Sequence, residues 1–115
     1  VPEISSVGPT EQELREKGTR YEVGRASYSE TARGPIAGDA TGLIKLIFHA
    51  DTLEVLGAHV IGANATEIIS LGQMAINFRA RIDYFVDQVF NYPTFAEGFR
   101  IAALNGLNKV QPDAV

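Results

Sequence analysis

Few side chains in this sequence have types and spacings suited to chemistry, and the densest group lies in Phe90-Asn91-Tyr92-Pro93-Thr94-Phe95-Ala96-Glu97. A tyrosine phenol ionises near pH ~10, so Tyr92 is a poor base at neutral pH; its ring can pack into a core or wall a pocket. Thr94 and Glu97 have the spacing of a capping box, a device worth about 1 kcal/mol to a helix start. That role accounts for Glu97 without assigning it proton transfer. Pro93 disfavours helical backbone angles at Tyr92, which places the helix start after it. His49 and His59 are the only histidines. Neither sits in a His-x-x-His pattern, so structural roles are expected for both and no metal site is assigned. The chain contains no Cys, which removes disulfides, thiolate metal sites and any redox dithiol within it. No catalytic residue is assigned.

The elements that must position these groups alternate between strand and helix patterns. Ile4 and Val7 mark a short strand stopped by Gly8-Pro9. Thr10 and Glu13 form a capping box that opens a short helix ending at Gly18. Tyr21 to Ser29 reads as a strand and Thr31 to Gly42 as a turn-rich connection. Leu43 to His49 and Val55 to Ile61, joined by Asp51-Thr52-Leu53-Glu54, make the strongest pair, an antiparallel hairpin. Both faces of that hairpin are apolar, so it is expected to be central and covered on both sides.

Asn64 and Glu67 start a helix running to about Phe78. Its Ala65, Ile68, Ile69, Gly72 and Ile76 form one apolar stripe, and Leu71, Met74 and Phe78 a second. One stripe suffices for a core; the second calls for another partner, which leaves open the rest of this domain, an absent domain or a second subunit. Ile82 to Val89 is compatible with a short helix, and Thr94 opens a last helix through Asn108, with Phe95, Phe99, Ala102 and Ala103 on a broad apolar arc. The fold class is therefore α+β, an antiparallel sheet with helices packed against it. Residues 1–110 form one domain and residues 111–115 a frayed tail.

A chain of 115 residues has room for one core. Its 45% hydrophobic and 21% charged content is that of a folded globular domain, and no apolar run is long enough to cross a membrane. A net charge of −4, without basic blocks, argues against a nucleic-acid surface. Arg25, Arg33, Arg79 and Arg81 make no phosphate cluster, and Gly57 and Gly62 lack the strand and helix context of a dinucleotide fingerprint. The first residues carry no basic and apolar leader.

The Phe90 to Glu97 segment, with the Ala-rich run ending Leu104-Asn105-Gly106-Leu107-Asn108, resembles the signature of the C-terminal dimerisation domain of the pyridine-nucleotide-disulfide oxidoreductases. Pro2-Glu3-Ile4-Ser5-Ser6-Val7-Gly8, followed by Thr10-Glu11-Gln12-Glu13-Leu14, resembles the entry into that domain, so the likeness covers Val1 to Val110. In the family's reductases a His-Pro-Thr segment, with a Glu beyond it, reaches the partner subunit's flavin and shuttles protons to a dithiol. Tyr92 stands where that His would be. The Tyr-Pro-Thr version is similar to the soluble pyridine nucleotide transhydrogenase branch, which passes hydride between two nicotinamides through FAD and uses no disulfide.

The resemblance implies a cytoplasmic homodimer, with FAD-binding and NAD(P)-binding domains upstream. FAD, NAD and NADP would serve the full-length oxidoreductase, while this fragment alone binds no cofactor and is inactive. It implies that Tyr92 and Pro93 contact the partner's flavin, across a cis peptide bond. Two alternatives stay open: the same domain of a dihydrolipoamide dehydrogenase-like disulfide reductase, and a free-standing α+β interaction domain.

Overall fold

The structure, a computed structural model, describes residues 4–27, 42–62, 65–87 and 97–110. Their elements are β1 (Ile4–Val7), α1 (Glu11–Glu16), β2 (Tyr21–Ser27), β3 (Gly42–His49), β4 (Val55–Gly62), α2 (Ala65–Asn77), α3 (Asp83–Asp87) and α4 (Glu97–Val110). The strands form a four-stranded sheet in the order β1-β4-β3-β2. Every neighbouring pair is antiparallel, and the β3–β4 hairpin is central as expected.

One face of the sheet carries the main core. Ile44, Leu46 and Phe48 of β3 lie beside Val60 and Ala58 of β4 and Ala26 of β2, all buried, beneath Ala65 and Ala75 of α2 and Phe99, Ala102, Ala103 and Leu107 of α4. A register shift between Ile47 and Phe48 pairs Ile47 with Gly57 but Phe48 with Val55. The extra residue, Leu56, breaks the simple alternation: Val55 enters the main core, while Leu56 packs with Leu14, Val23 and Ile47 on the opposite face.

Among the described residues that second face is only partly covered, which corrects the expectation of a hairpin enclosed on both sides. Helix α1 seats Leu14 on Val23 and Ile47 at one end. At the other end Ile4 is 74% exposed and Ile61 43%. The physical reason is length: α1 has six residues, about 9 Å of helix, too short to span the face. Its ends are well made. The Glu13 N–H donates to Thr10 Oγ1 at 3.2 Å and the Thr10 N–H to Glu13 Oε1 at 3.0 Å, the expected capping box. Gly18, at φ 72°, closes the helix, with the Thr19 N–H reaching the Leu14 carbonyl at 3.0 Å.

Helix α4 lies against β2 nearly backbone to backbone, and two glycines permit it. A Cβ on Gly106 would stand 2.6 Å from Cε1 of the buried Phe48 and 3.0 Å from Gly24 Cα. A Cβ on Gly24 would collide with the Ala102 carbonyl oxygen of α4. In an exposed helix Gly→Ala would gain about 1 kcal/mol. Here overpacking, typically about 1–3 kcal/mol, wins over that gain. We expect Gly106→Ala to destabilise the chain in urea unfolding followed by circular dichroism, and Gly24→Ala to do so more severely, since its obstacle is backbone. A stabilised Gly106→Ala would show that the contact is looser than this.

Candidate functional site

Tyr92 and Pro93, the bond between them, and the Thr94 capping box lie outside the described residues. The structure does describe what holds the two ends of residues 88–96. On the leading side, Ile82 and Phe85 are buried at the start of α3; on the trailing side, Phe99 is buried in the first turn of α4. The Phe85 and Phe99 rings stack, with centroids 5.4 Å apart and planes at 22°. Helices α3 and α4 are thereby pinned to each other and to the core.

Sequence reasoning missed the side chains that anchor α4. As an edge strand, β2 has outward backbone groups with no strand to bond. The Arg25 N–H donates to Asn105 Oδ1 at 3.0 Å, and Lys109 Nζ donates to the Val23 carbonyl at 2.8 Å, both from α4. The Val23 N–H is taken by Glu22 Oε1 at 2.9 Å. A signal was available in Asn105-Gly106-Leu107-Asn108: Asn and Gly are poor helix formers, and mid-helix they point to a tertiary duty. The strand-interior Gly24 is the other half of that signal.

His49 has the satisfied structural setting expected of both histidines, and His59 departs from it. His49 Nδ1 accepts the Asp51 N–H at 3.1 Å and the Thr52 N–H at 3.3 Å, shaping the β3–β4 turn. His59 lies on the second sheet face in a row with Ser6, Lys45 and Arg25, and its Nε2 is buried without a hydrogen-bond partner of good geometry. Burial pushes the imidazole below its ordinary pKa of 6.5, and the Lys45 ammonium adds to this, against the Pro9 carbonyl and Glu11.

Glu11 is the hub of that row. Its carboxylate accepts from Lys45 Nζ at 2.6 Å and from the Tyr21 hydroxyl at 3.1 Å, with Arg25 at 3.6 Å and Arg15 at 3.9 Å. The Lys45 hydrogen bond is the main reason that Glu11 stays below its ordinary 4.5, against partial burial. Three other arginines pair with single carboxylates, Arg20 with Asp51 at 2.7 Å, and Arg79 with Glu54 and Arg81 with Asp83, both at 3.3 Å. Among the described residues no group of His, Asp and Glu could hold a metal ion, and no helix is long and apolar enough to cross a membrane.

The comparisons with known proteins bear on this geometry. The family model for the pyridine nucleotide-disulphide oxidoreductase dimerisation domain matches residues 1–103. The chain belongs to that family. It is similar to the soluble pyridine nucleotide transhydrogenases of Hahella chejuensis, at 51% identity, and Colwellia psychrerythraea, at 53%; each match covers 96% of this chain and 24% of the relative. The chain thus spans about a quarter of the length of these relatives. Among solved structures, LpdA from Mycobacterium tuberculosis superposes with a TM-score of 0.82 at 21% identity, over 90% of this chain and 22% of that one. The HOCl-induced flavoprotein disulfide reductase RclA from Escherichia coli does so with 0.82 at 25%, over 90% and 26%. The fold is therefore the dimerisation-domain fold expected of the sequence.

The α1 network gives the domain a defined acid response. A group whose folded pKa lies below its unfolded one takes up its proton first in the unfolded chain, so stability is held above the unfolded value and lost as pH falls through the folded one. His59 therefore sets a decline beginning near its ordinary 6.5. Glu11, together with Glu13, which is lowered by the Thr10 N–H, sets a second decline below 4.5. We expect urea midpoints measured against pH to show both limbs in the wild type and only the lower one in His59→Gln; an unchanged upper limb in that variant would discharge His59 from the role.

Proposed function

We propose that this chain is the dimerisation domain of a cytoplasmic, FAD-dependent NAD(P)+ transhydrogenase that moves hydride from NADPH to NAD+. The observation that carries the reading is Tyr92, set in a sequence that is 51–53% identical over nearly its whole length to proteins named soluble pyridine nucleotide transhydrogenase. A reductase that relays protons to a dithiol needs an imidazole near neutrality at this point. A phenol with a pKa near ~10 serves a hydride-only enzyme instead.

In this reading Tyr92 and Pro93 wall the flavin site of the partner subunit, and the domain joins two copies of the parent chain. The donor set fits such a group: a neutral aromatic and a proline suit the flank of a flat, conjugated ring. FAD, bound by upstream domains, supplies the two-electron carrier between the nicotinamides. The domain's own residues do the positioning. The Phe85–Phe99 stack joins α3 to α4 on either side of residues 88–96, and the α4 anchors to β2 tie that stack to the sheet. This segment alone binds neither FAD nor nicotinamide and is inactive.

The test is Tyr92→Phe in the intact parent enzyme. A passive wall predicts that transhydrogenation between NADPH and NAD+ stays largely intact, because ring and volume are kept. A fall in turnover of about a hundredfold, roughly 2.7 kcal/mol, would overturn the passive role and give the hydroxyl a part in the reaction.

A further inference from the structure

Among the asparagines of this chain, only Asn105 is followed by glycine; Asn64, Asn77, Asn91 and Asn108 precede Ala, Phe, Tyr and Lys. An Asn-Gly pair is the dipeptide most prone to cyclise on itself, because no Cβ on the second residue hinders its backbone nitrogen from reaching the Asn side-chain carbon. Such pairs usually sit in turns. Here the pair lies inside α4, and packing accounts for both residues. Gly106 meets Phe48 Cε1 and Gly24 Cα where any Cβ would stand, and the exposed Asn105 accepts the Arg25 N–H at 3.0 Å. The contact of α4 with β2 thus calls for a short acceptor followed by a residue with no side chain, the same pair that chemistry makes labile.

The fold that requires the pair also shuts it. Ring closure needs the Gly106 nitrogen deprotonated and turned toward Asn105 Cγ. In α4 its N–H is committed along the helix axis to the carbonyl four residues back, that of Ala102. Both atoms are packed against Gly24, where a Cβ would stand 2.8 Å from Gly106 N and closer still to the Ala102 oxygen. The other reactant is held as well, since the Asn105 amide is tied to the strand through the Arg25 N–H. Lys109 Nζ on the Val23 carbonyl and the stack of Phe99 on Phe85 keep α4 seated on either side of the pair.

We propose that Asn105-Gly106 is a latent modification site, closed while α4 lies on β2 and converted by water to aspartate and isoaspartate when α4 lifts away. Once the helix opens, the deprotonated Gly106 nitrogen attacks Asn105 Cγ and closes a five-membered succinimide, while Nδ2, protonated by solvent, leaves as ammonia. Water then adds to one of the two ring carbonyls. Addition at Cγ breaks its new bond to nitrogen and leaves an aspartate in an ordinary main chain; addition at the Asn105 main-chain carbonyl leaves the chain running through Cγ, as isoaspartate. No electrons change hands, and water is the only co-reactant. The products differ in fit. Aspartate keeps an oxygen for the Arg25 N–H, whereas isoaspartate adds a methylene to the main chain of α4 and displaces Gly106 from Gly24, where close packing leaves no slack.

Tandem mass spectrometry of peptides from this chain, held at mildly alkaline pH in buffer and in guanidinium chloride, follows the conversion at each asparagine, with circular dichroism reporting the fold. In denaturant Asn105 should react faster than any other asparagine. In buffer it should react at least about tenfold more slowly than in denaturant, an opening cost of about 1.4 kcal/mol. Lys109→Met, which takes the ammonium from the Val23 carbonyl, should speed the reaction in buffer and leave it unchanged in denaturant. The site is overturned if Asn105 reacts as fast in buffer as in denaturant, if another asparagine outruns it in denaturant, or if Lys109→Met reacts in buffer no faster than the wild type. None of these outcomes touches the transhydrogenase reading, which stands or falls on turnover by the parent enzyme.

Discussion

The close approach of α4 to β2 is the contact on which the remaining arrangement depends. With no Cβ on Gly24 or Gly106, the helix sinks until its backbone meets the strand, and only at that depth can Asn105 and Lys109 reach the outward groups of β2. The same depth brings Phe99 into the core, where it stacks on Phe85. Raising the helix by the thickness of one methyl group would therefore loosen two things together: the edge bonds and the aromatic stack that joins α3 to α4. Close-packed interiors transmit such displacements because they have no slack to absorb them.

The second sheet face obeys a different logic. Its covered end combines a small apolar cluster, Leu14 with Val23, Ile47 and Leu56, with a polar row in which one carboxylate, Glu11, serves Lys45, Tyr21, Arg25 and Arg15. A six-residue helix has little stability of its own. Its capping box, its glycine terminus and this network together replace the packing that a longer helix would provide. Surface ion pairs taken singly are worth little; here Lys45 and Glu11 are largely shielded, with side-chain exposures of 23% and 25%, and the Glu11 carboxylate is shared by two hydrogen-bond donors, Lys45 and Tyr21, and two further cations, Arg25 and Arg15.

Much of this was legible in the residues, and what was not has physical causes. The β3–β4 hairpin reads directly because its apolar residues recur at a strand's period between turn residues, and α1 reads from Thr10, Glu13 and Gly18. The bulge at Leu56 does not, since strict alternation would put Leu56 and Ala58 on one face, and only the register of the partner strand separates them. Gly24 reads as a weak strand position, and Lys109 as a solvated helix end, until the two elements are seen in contact. Tyr92 is a further kind of case. Nothing in its spacing distinguishes a pocket wall from a core aromatic, and only likeness to a family gave it a functional reading.

A domain that pairs must keep apolar surface open without inviting indiscriminate association, and the distribution of polar groups meets both demands. The β2 edge is closed by side chains from its own strand and from α4, and the opposite edge strand, β1, has four residues, so neither offers a long template for strand addition. Apolar surface is left open at one end of the sheet, at Ile4 and Ile61, and on α2 at Met74 and Phe78, where the backbone bonds are satisfied within the helix. Such a face attracts only a partner of matching shape, because it has no free main-chain donors or acceptors to reward an approximate fit. The corner at Arg79, left-handed in its backbone and bonded to the β3–β4 turn, holds that end of α2 against the hairpin.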